Sequence, residues 1–288
     1  MGTISATAVK DLREKTGVGM MEAKKALEEA GGDMENAVDI LRKKGLSAAA
    51  KKAGRVAAEG IISSSKSPNT GVLIEVNSET DFVAKNEEFQ AFAKNLADLV
   101  RDKKPTDVTS LSQLIIGNET VEARRQTLVQ KIGENLSIRR FERYETDGKL
   151  AIYIHGTRIG VMVDFAGGDD QLGKDIAMHI AAANPLYLSR ETIPAESITR
   201  ERAIYEAQAK ETGKPAPVIS KIVDGKLEKF YGDTCLLEQV YIKDPDGKLK
   251  IKSILKDAHI RRFIRYQLGE GIEKKKECFA EEVAAQLK

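Results

Sequence analysis

Ile138-Arg139-Arg140-Phe141-Glu142-Arg143-Tyr144 returns 122 residues later as Ile260-Arg261-Arg262-Phe263-Ile264-Arg265-Tyr266, changed at one position. A run so rich in β-branched and aromatic residues reads as a strand, and its return reads as an internal duplication. A second pair agrees. Gly71-Val72-Leu73-Ile74-Glu75-Val76 is echoed 89 residues on by Gly160-Val161-Met162-Val163-Asp164-Phe165. A helical pattern follows each: Asn86 caps a stripe of Phe89, Phe92, Ala93, Leu96 and Val100, and residues 172–183 follow the second copy. Two copies of a strand–helix–strand unit therefore make up the core, and the fold class is α+β with antiparallel strands. The two offsets differ by 33 residues, which places an insertion in the second copy. Residues 195–212 form a polar helix there. Gly213-Lys214-Pro215-Ala216-Pro217 breaks it, and Ile219, Ile222, Val223, Leu227 and Phe230 mark a second helix. The pair reads as an inserted helical hairpin whose narrow apolar stripe suits a coiled-coil arm.

Toward the N-terminus, residues 5–45 read as three short helices. Val9 and Leu12 mark the first, which stops at Thr16-Gly17; Met20, Met21, Ala23, Leu27 and Ala30 mark the second, which stops at Gly31-Gly32. Asp33 stands where it can cap the third, with Ala37, Val38 and Leu41 on one face before Gly45. Residues 46–58, rich in Ala and Lys, read as a helical linker rather than core. Residues 273–287 place Phe279, Val283 and Leu287 on one face of a C-terminal helix. The expected domains are 1–54 for the N-terminal three-helix domain and linker, 55–145 for the first repeat, 146–268 for the second with its hairpin at about 190–232, and 269–288 for a C-terminal helical module.

Of the 288 residues, 41% are hydrophobic and 31% charged, a globular composition with room for two domains. Lys and Arg total 46 against 44 Asp and Glu, a net charge of +2, without the basic excess of a phosphate-neutralising protein. Aromatics at 5% and the absence of Trp also weaken any base-stacking platform. Two cysteines make neither a disulfide framework nor a four-cysteine zinc site. With no membrane-length apolar run and no targeting pattern at the N-terminus, a cytoplasmic location is expected. The Gly-Lys pairs at 148, 173, 213, 225 and 247 are followed by Leu, Asp, Pro, Leu and Leu, so none opens a P-loop. His155, His179 and His259 lack partners at metal-ligand spacing; His179 reads as a packed histidine, and His155 as part of a hairpin tip, His155-Gly156-Thr157-Arg158. The residues thus point away from an enzyme, and no metal or cofactor is expected. The Arg139-Arg140 and Arg261-Arg262 pairs read as solvated faces set among acids. Phe82, in the polar connection 77–85, precedes Phe89 by seven residues. A helix starting at Asp81 puts both on the core face, so a core role is expected for Phe82.

Longer motifs go further. They are Leu12-Arg13-Glu14-Lys15-Thr16-Gly17-Val18-Gly19-Met20-Met21, Lys24-Lys25-Ala26-Leu27, Thr80-Asp81-Phe82-Val83-Ala84-Lys85 and Lys131-Ile132-Gly133-Glu134-Asn135. Further along stand His155-Gly156-Thr157-Arg158-Ile159-Gly160-Val161, Ile176-Ala177-Met178-His179 and Gly269-Glu270-Gly271-Ile272-Glu273-Lys274. Through them the chain resembles, over essentially its whole length, the elongation factor Ts family, the guanine-nucleotide exchange factors of elongation factor Tu in bacterial translation. Ala23 stands where many members carry Cys.

The resemblance implies a ubiquitin-associated-like N-terminal domain, a duplicated α+β core, a coiled-coil hairpin and a C-terminal helical module. It also implies exchange by non-covalent binding. Thr80, Asp81, Phe82 and Val83 would invade the partner's GTPase domain and dislodge its magnesium, with Phe82 as a wedge and Asp81 disturbing the groups around the metal. This reverses the core role read for Phe82 from the residues alone. His155 would touch the partner away from the nucleotide, and Val9, Leu12 and Met20 would lie on or near the N-terminal contact face. The implied partner is elongation factor Tu, GDP-bound and nucleotide-free, with no membrane and no direct nucleic-acid contact. Stoichiometry stays open between one-to-one and a two-plus-two heterotetramer. The rival readings are an RNA- or ribosome-binding protein using the basic repeat strands, and an adaptor for ubiquitin-like partners.

Overall fold

The computed structural model describes residues 4–16 and 18–273. The expected C-terminal helix with Phe279, Val283 and Leu287 therefore lies outside the described residues. Helices α1 (Ala6–Thr16), α2 (Met20–Glu29) and α3 (Met34–Lys52) open the chain. Val9, Leu12, Val18, Ala23, Ala26, Leu27, Ala37 and Leu41 form a small core of their own among them. Asp33 caps α3, its carboxylate accepting from the Asn36 N–H at 2.8 Å.

Two sequence readings need correction here. α3 does not end before Gly45 but runs on to Lys52. Gly45 thins the helix where it meets a neighbour: a Cβ there would sit 2.8 Å from Gln130 Oε1. A helical glycine costs only ~1 kcal/mol against alanine, which packing on both sides readily overrides. Nor is the segment 46–58 merely a linker, because Ala49 is buried in the core of the first sheet and Ala58 is buried as well.

The first sheet uses β1 (Glu59–Lys66) and β2 (Thr70–Ser78), then α4 (Glu87–Lys103), α5 (Val108–Gln113), the two-residue strands β3 (Ile115–Ile116) and β4 (Glu119–Thr120), α6 (Val121–Ile132) and β5 (Leu136–Glu145). Its strand order is β1-β2-β5. Asn86 caps α4 by accepting from Phe89 N–H at 3.0 Å. Phe89, Phe92, Ala93, Leu96 and Val100 then pack in one core with Val72, Ile74 and Val76 of β2.

The same order of elements recurs with β6 (Lys149–His155), β7 (Ile159–Ala166) and α7 (Asp170–Ala183), closing with β8 (His259–Gln267) in a sheet of order β6-β7-β8. β6 and β7 pair antiparallel from Lys149↔Phe165 to His155↔Ile159. Between α7 and β8 lie α8 (Ala195–Lys210) and α9 (Ala216–Thr234), which bury Ala209, Val223 and Leu227 in a cluster of their own, and then the short α10 (Ile251–Leu255). The chain divides into two compact units. Among the described residues, one holds those up to Ser65, Val72–Arg143 and Gln267–Glu273; the other holds Lys66–Gly71 and Tyr144–Tyr266.

Each sheet carries one carboxylate inside its central strand. Alternation along β2 puts Val72, Ile74 and Val76 toward α4 and Glu75 on the opposite face, where it is fully buried. Arg139 Nη1 donates to Glu75 Oε1 at 2.9 Å and Arg140 Nε to Oε2 at 2.7 Å. The Gly269 amide adds 2.8 Å and Asn77 Nδ2 3.1 Å, both to Oε1. In the second sheet Asp164, at the position equivalent to Glu75, is 2% exposed. It accepts from Arg262 Nε at 3.0 Å and Thr146 Oγ1 at 2.8 Å. The repeated arginine pairs are thus not simply a solvated face: Arg139, Arg140 and Arg262 each neutralise a buried acid, whereas Arg261 pairs with the exposed Asp147. Burial raises the Glu75 pKa, but the Gly269 amide and the two guanidinium groups outweigh it and hold the carboxyl below its ordinary value.

Removing the acid leaves the half-buried Arg139 and Arg140 without their counter-charge, a loss at the lower end of the roughly 3–5 kcal/mol that breaking a fully buried pair costs. Glu75→Gln should lower unfolding free energy by about 3 kcal/mol at neutral pH, read by urea denaturation. The sign with pH follows from the lowered pKa: the Glu75 contribution is present above the unfolded carboxylate value and is lost as pH falls through the folded one. The gap between wild type and variant should therefore close in acid.

Candidate functional site

The two copies differ most at the joint between central strand and following helix. From Val76 to the capping Asn86 is ten residues, whereas from Phe165 to the capping Asp169 is four. The six extra residues hold Thr80-Asp81-Phe82-Val83.

Their conformation is fixed at both ends. Ser78 Oγ donates to the Thr80 carbonyl at 2.8 Å. The Thr80 N–H donates to Glu134 Oε2 at 2.9 Å, and its hydroxyl donates to Oε1 at 2.6 Å. In return the Asn135 N–H donates to Glu79 Oε1 at 2.6 Å, and Arg55 pairs with Glu79 at 3.5 Å. Glu134 reaches this position because Gly133, in the left-handed region with φ 89°, ends α6. Beyond Phe82 a single 3-10 turn, Val83–Lys85, leads to the cap; Lys85 N–H donates to the Phe82 carbonyl at 3.1 Å and Gln90 Nε2 to the Ala84 carbonyl at 2.8 Å.

This geometry overturns the core role read for Phe82 from spacing. No helix starts at Asp81. Val83 turns inward, 5% exposed, and takes the core position, while Phe82 is 78% exposed. Asp81 is exposed beside it and Thr80 is half-buried. Phe82 is thus a large apolar side chain held in water on a hydrogen-bonded loop.

The other candidate residues lie elsewhere. Val9 and Leu12 are inside the three-helix core, so they support a surface rather than touch one. Met20 is 49% exposed, with exposed Met21 next to it. His155 is exposed at the β6–β7 tip, its Nδ1 3.0 Å from the Tyr153 hydroxyl. His179 is fully buried; its Nε2 pairs with Gln239 Oε1 at 2.9 Å and its Nδ1 accepts from the Ile242 N–H at 3.3 Å. Burial holds its pKa below the ordinary value, so it is a neutral packing residue. Among the described residues no group of three His, Cys, Asp or Glu could hold a metal ion. Cys235 is buried, and burial pushes its thiol pKa up, away from the reactive thiolate. No helix of the described residues is long and apolar enough to cross a membrane.

Glu79, Glu134 and Asn135 are the residues that sequence reasoning passed over. Lys131-Ile132-Gly133-Glu134-Asn135 stood out as a motif, but nothing local says that its carboxylate reaches a threonine 54 positions earlier.

Phe82 and Asp81 thus stand exposed on a loop tied through Ser78, Glu134 and Gln90. The family model described as elongation factor TS matches residues 79–270. Elongation factor Ts of Paraburkholderia xenovorans is 51% identical over 289 residues, covering all of this chain and 98% of that protein. The same factor from Alkalilimnicola ehrlichii is 50% identical, and that from Halorhodospira halophila 49%, each with 99% of both chains covered. The chain belongs to the elongation factor Ts family, the guanine-nucleotide exchange factors of translation elongation.

Phe82→Ala should leave the unfolding free energy within about 0.5 kcal/mol of wild type, as exposed substitutions do. Val83→Ala should cost about 1–2 kcal/mol through the cavity it leaves. Parallel thermal melts separate the two neighbours.

Proposed function

We propose that this protein opens the nucleotide site of elongation factor Tu by docking Thr80-Asp81-Phe82-Val83 against the partner's GTPase domain. Phe82 enters between partner elements as a wedge, and Asp81 disturbs the groups around the magnesium, which leaves. Thr80 and Val83 act from within the loop, one tied to Glu134 and the other seated in the core. The observation that carries this reading is Phe82, 78% exposed on a loop with hydrogen bonds at both ends.

Met20 belongs to a second contact, on an N-terminal ubiquitin-associated-like module whose surface Val9 and Leu12 hold from behind. His155, at the tip of its hairpin, meets the partner away from the nucleotide. The protein acts in the cytoplasm, on GDP-bound partner, and leaves it nucleotide-free. The RNA-binding alternative is disfavoured by the engagement of Arg139, Arg140 and Arg262 with Glu75 and Asp164.

Exchange needs no covalent step. A nucleotide held at ~1 nM is bound by about 12 kcal/mol, and a factor that prefers the distorted site couples negatively and reciprocally to it. Burying Phe82 contributes roughly 1.5–3 kcal/mol, one to two decades of affinity. Loss of the metal's clamp on the phosphates supplies the remainder.

In a fluorescent-GDP release assay with purified elongation factor Tu, Phe82→Ala should slow release roughly ten- to a hundredfold at saturating factor. Raising magnesium should weaken the wild-type factor, and Asp81→Ala should show less of this dependence. A wild-type release rate from Phe82→Ala would refute the wedge.

A further inference from the structure

The Glu134 carboxylate places both of its oxygens on one residue of the loop. Oε2 accepts the Thr80 N–H at 2.9 Å and Oε1 the Thr80 hydroxyl at 2.6 Å. The neighbouring Asn135 N–H returns a bond to Glu79 at 2.6 Å. Two adjacent residues after α6 are therefore cross-linked to two adjacent residues after β2. The root of the loop is tied, while Phe82, two residues further, stays in solvent.

The second copy of the repeat offers an internal comparison. Counting the 122-residue offset on from Glu134 reaches Lys256, whose charge is opposite. There the strand-to-helix joint is four residues long and passes through Gly167-Gly168 straight to the capping Asp169. The carboxylate and the long loop occur together in one copy and are missing together from the other. Holding a sheet to its helix does not require the clamp, since the second copy does so without it. The clamp accompanies the loop that carries Phe82.

We propose that Glu134 is a positioning residue for exchange: it holds Thr80-Asp81-Phe82 in the docking conformation before the partner arrives. This rests on the reading of the loop given above. A binding segment that populates its competent conformation only part of the time binds more weakly by that fraction. Charge-assisted bonds to a backbone N–H and a hydroxyl are among the stronger restraints available to a surface loop. Without them the loop keeps its residues and its wedge but spends most of its time elsewhere. Once docked, it meets the same partner groups.

The signature is a split between concentration and rate. In the fluorescent-GDP assay, titrated with full-length factor, Glu134→Ala should raise the half-saturating concentration about tenfold, for a competent fraction reduced to about a tenth. The release rate at saturation should stay within about twofold, because the docked complex is unchanged. Glu134→Gln keeps the length and one acceptor oxygen, so it should shift half-saturation about threefold, a partial rescue. Thr80→Val removes the hydroxyl donor, and combining it with Glu134→Ala should add little to Glu134→Ala alone. Amide exchange in the free protein should speed up over residues 79–86 in Glu134→Ala and not in α4.

Wild-type half-saturation for Glu134→Ala, or a lower saturated rate at unchanged half-saturation, overturns the proposal. Additive effects of Thr80→Val and Glu134→Ala do the same. If Glu134→Ala fails to fold, Glu134→Gln and Thr80→Val carry the same readouts. Phe82→Ala, run alongside, tells the two readings apart. A wild-type rate from it sinks the loop's role altogether, whereas an impaired Phe82→Ala beside a wild-type Glu134→Ala sinks only the positioning role.

Discussion

A carboxylate buried in the middle of a strand is the constraint on which each sheet is built. Glu75 cannot be ionised in its position without a cation, and no cation lies next to it in sequence; Arg139 and Arg140 arrive from β5, 64 and 65 residues away. The central strand is therefore stable only once the third strand is in place beside it. The Gly269 amide on the same carboxylate extends the requirement to a segment 194 residues away. In the second sheet Asp164 requires Arg262 across 98 residues, and the guanidinium also lies over the Tyr144 ring at 4.1 Å. Such pairs add little to stability beyond what a well-packed apolar substitute gives, but they penalise every misregistered pairing that leaves the acid alone. They serve to define strand order as well as to hold it.

Long-range hydrogen bonds also hold the loop that carries the exposed phenylalanine. Phe82 stands on a strand exit held by Ser78, Glu134 and the Val83–Lys85 turn. The loop's own apolar anchor is Val83, which lies in the same core as Phe89 and Ile74.

Much of this was legible from the chain. Asp33 and Asn86 cap the helices that their positions indicate, the 138–144 and 260–266 repeats lie in third strands, and the Gly/Pro break at 213–217 separates two helices. Local chemistry fixes caps and turns, and periodicity fixes faces. The readings that failed depended on distant groups. Gly45 looked like a stop because the helix against which α3 packs is far away in sequence. Phe82 looked like core because a seven-residue spacing cannot register that Glu134 has drawn the backbone off a helical path. Arg139, Arg140 and Arg262 looked solvated because the acids they neutralise lie on another strand. For the exposure of Phe82, family resemblance was informative where periodicity was not.

The unequal joints also bear on how such a loop can be acquired. Lengthening a connection from four residues to ten raises the entropy of closing it by only about 1 kcal/mol, because the cost grows with the logarithm of length. A domain with 5–15 kcal/mol of stability tolerates that loss easily. A duplicated unit thus lets one joint lengthen and diversify while its twin keeps the short form. What began as redundancy becomes division of labour, and the fold can afford to experiment at one corner without risking its frame.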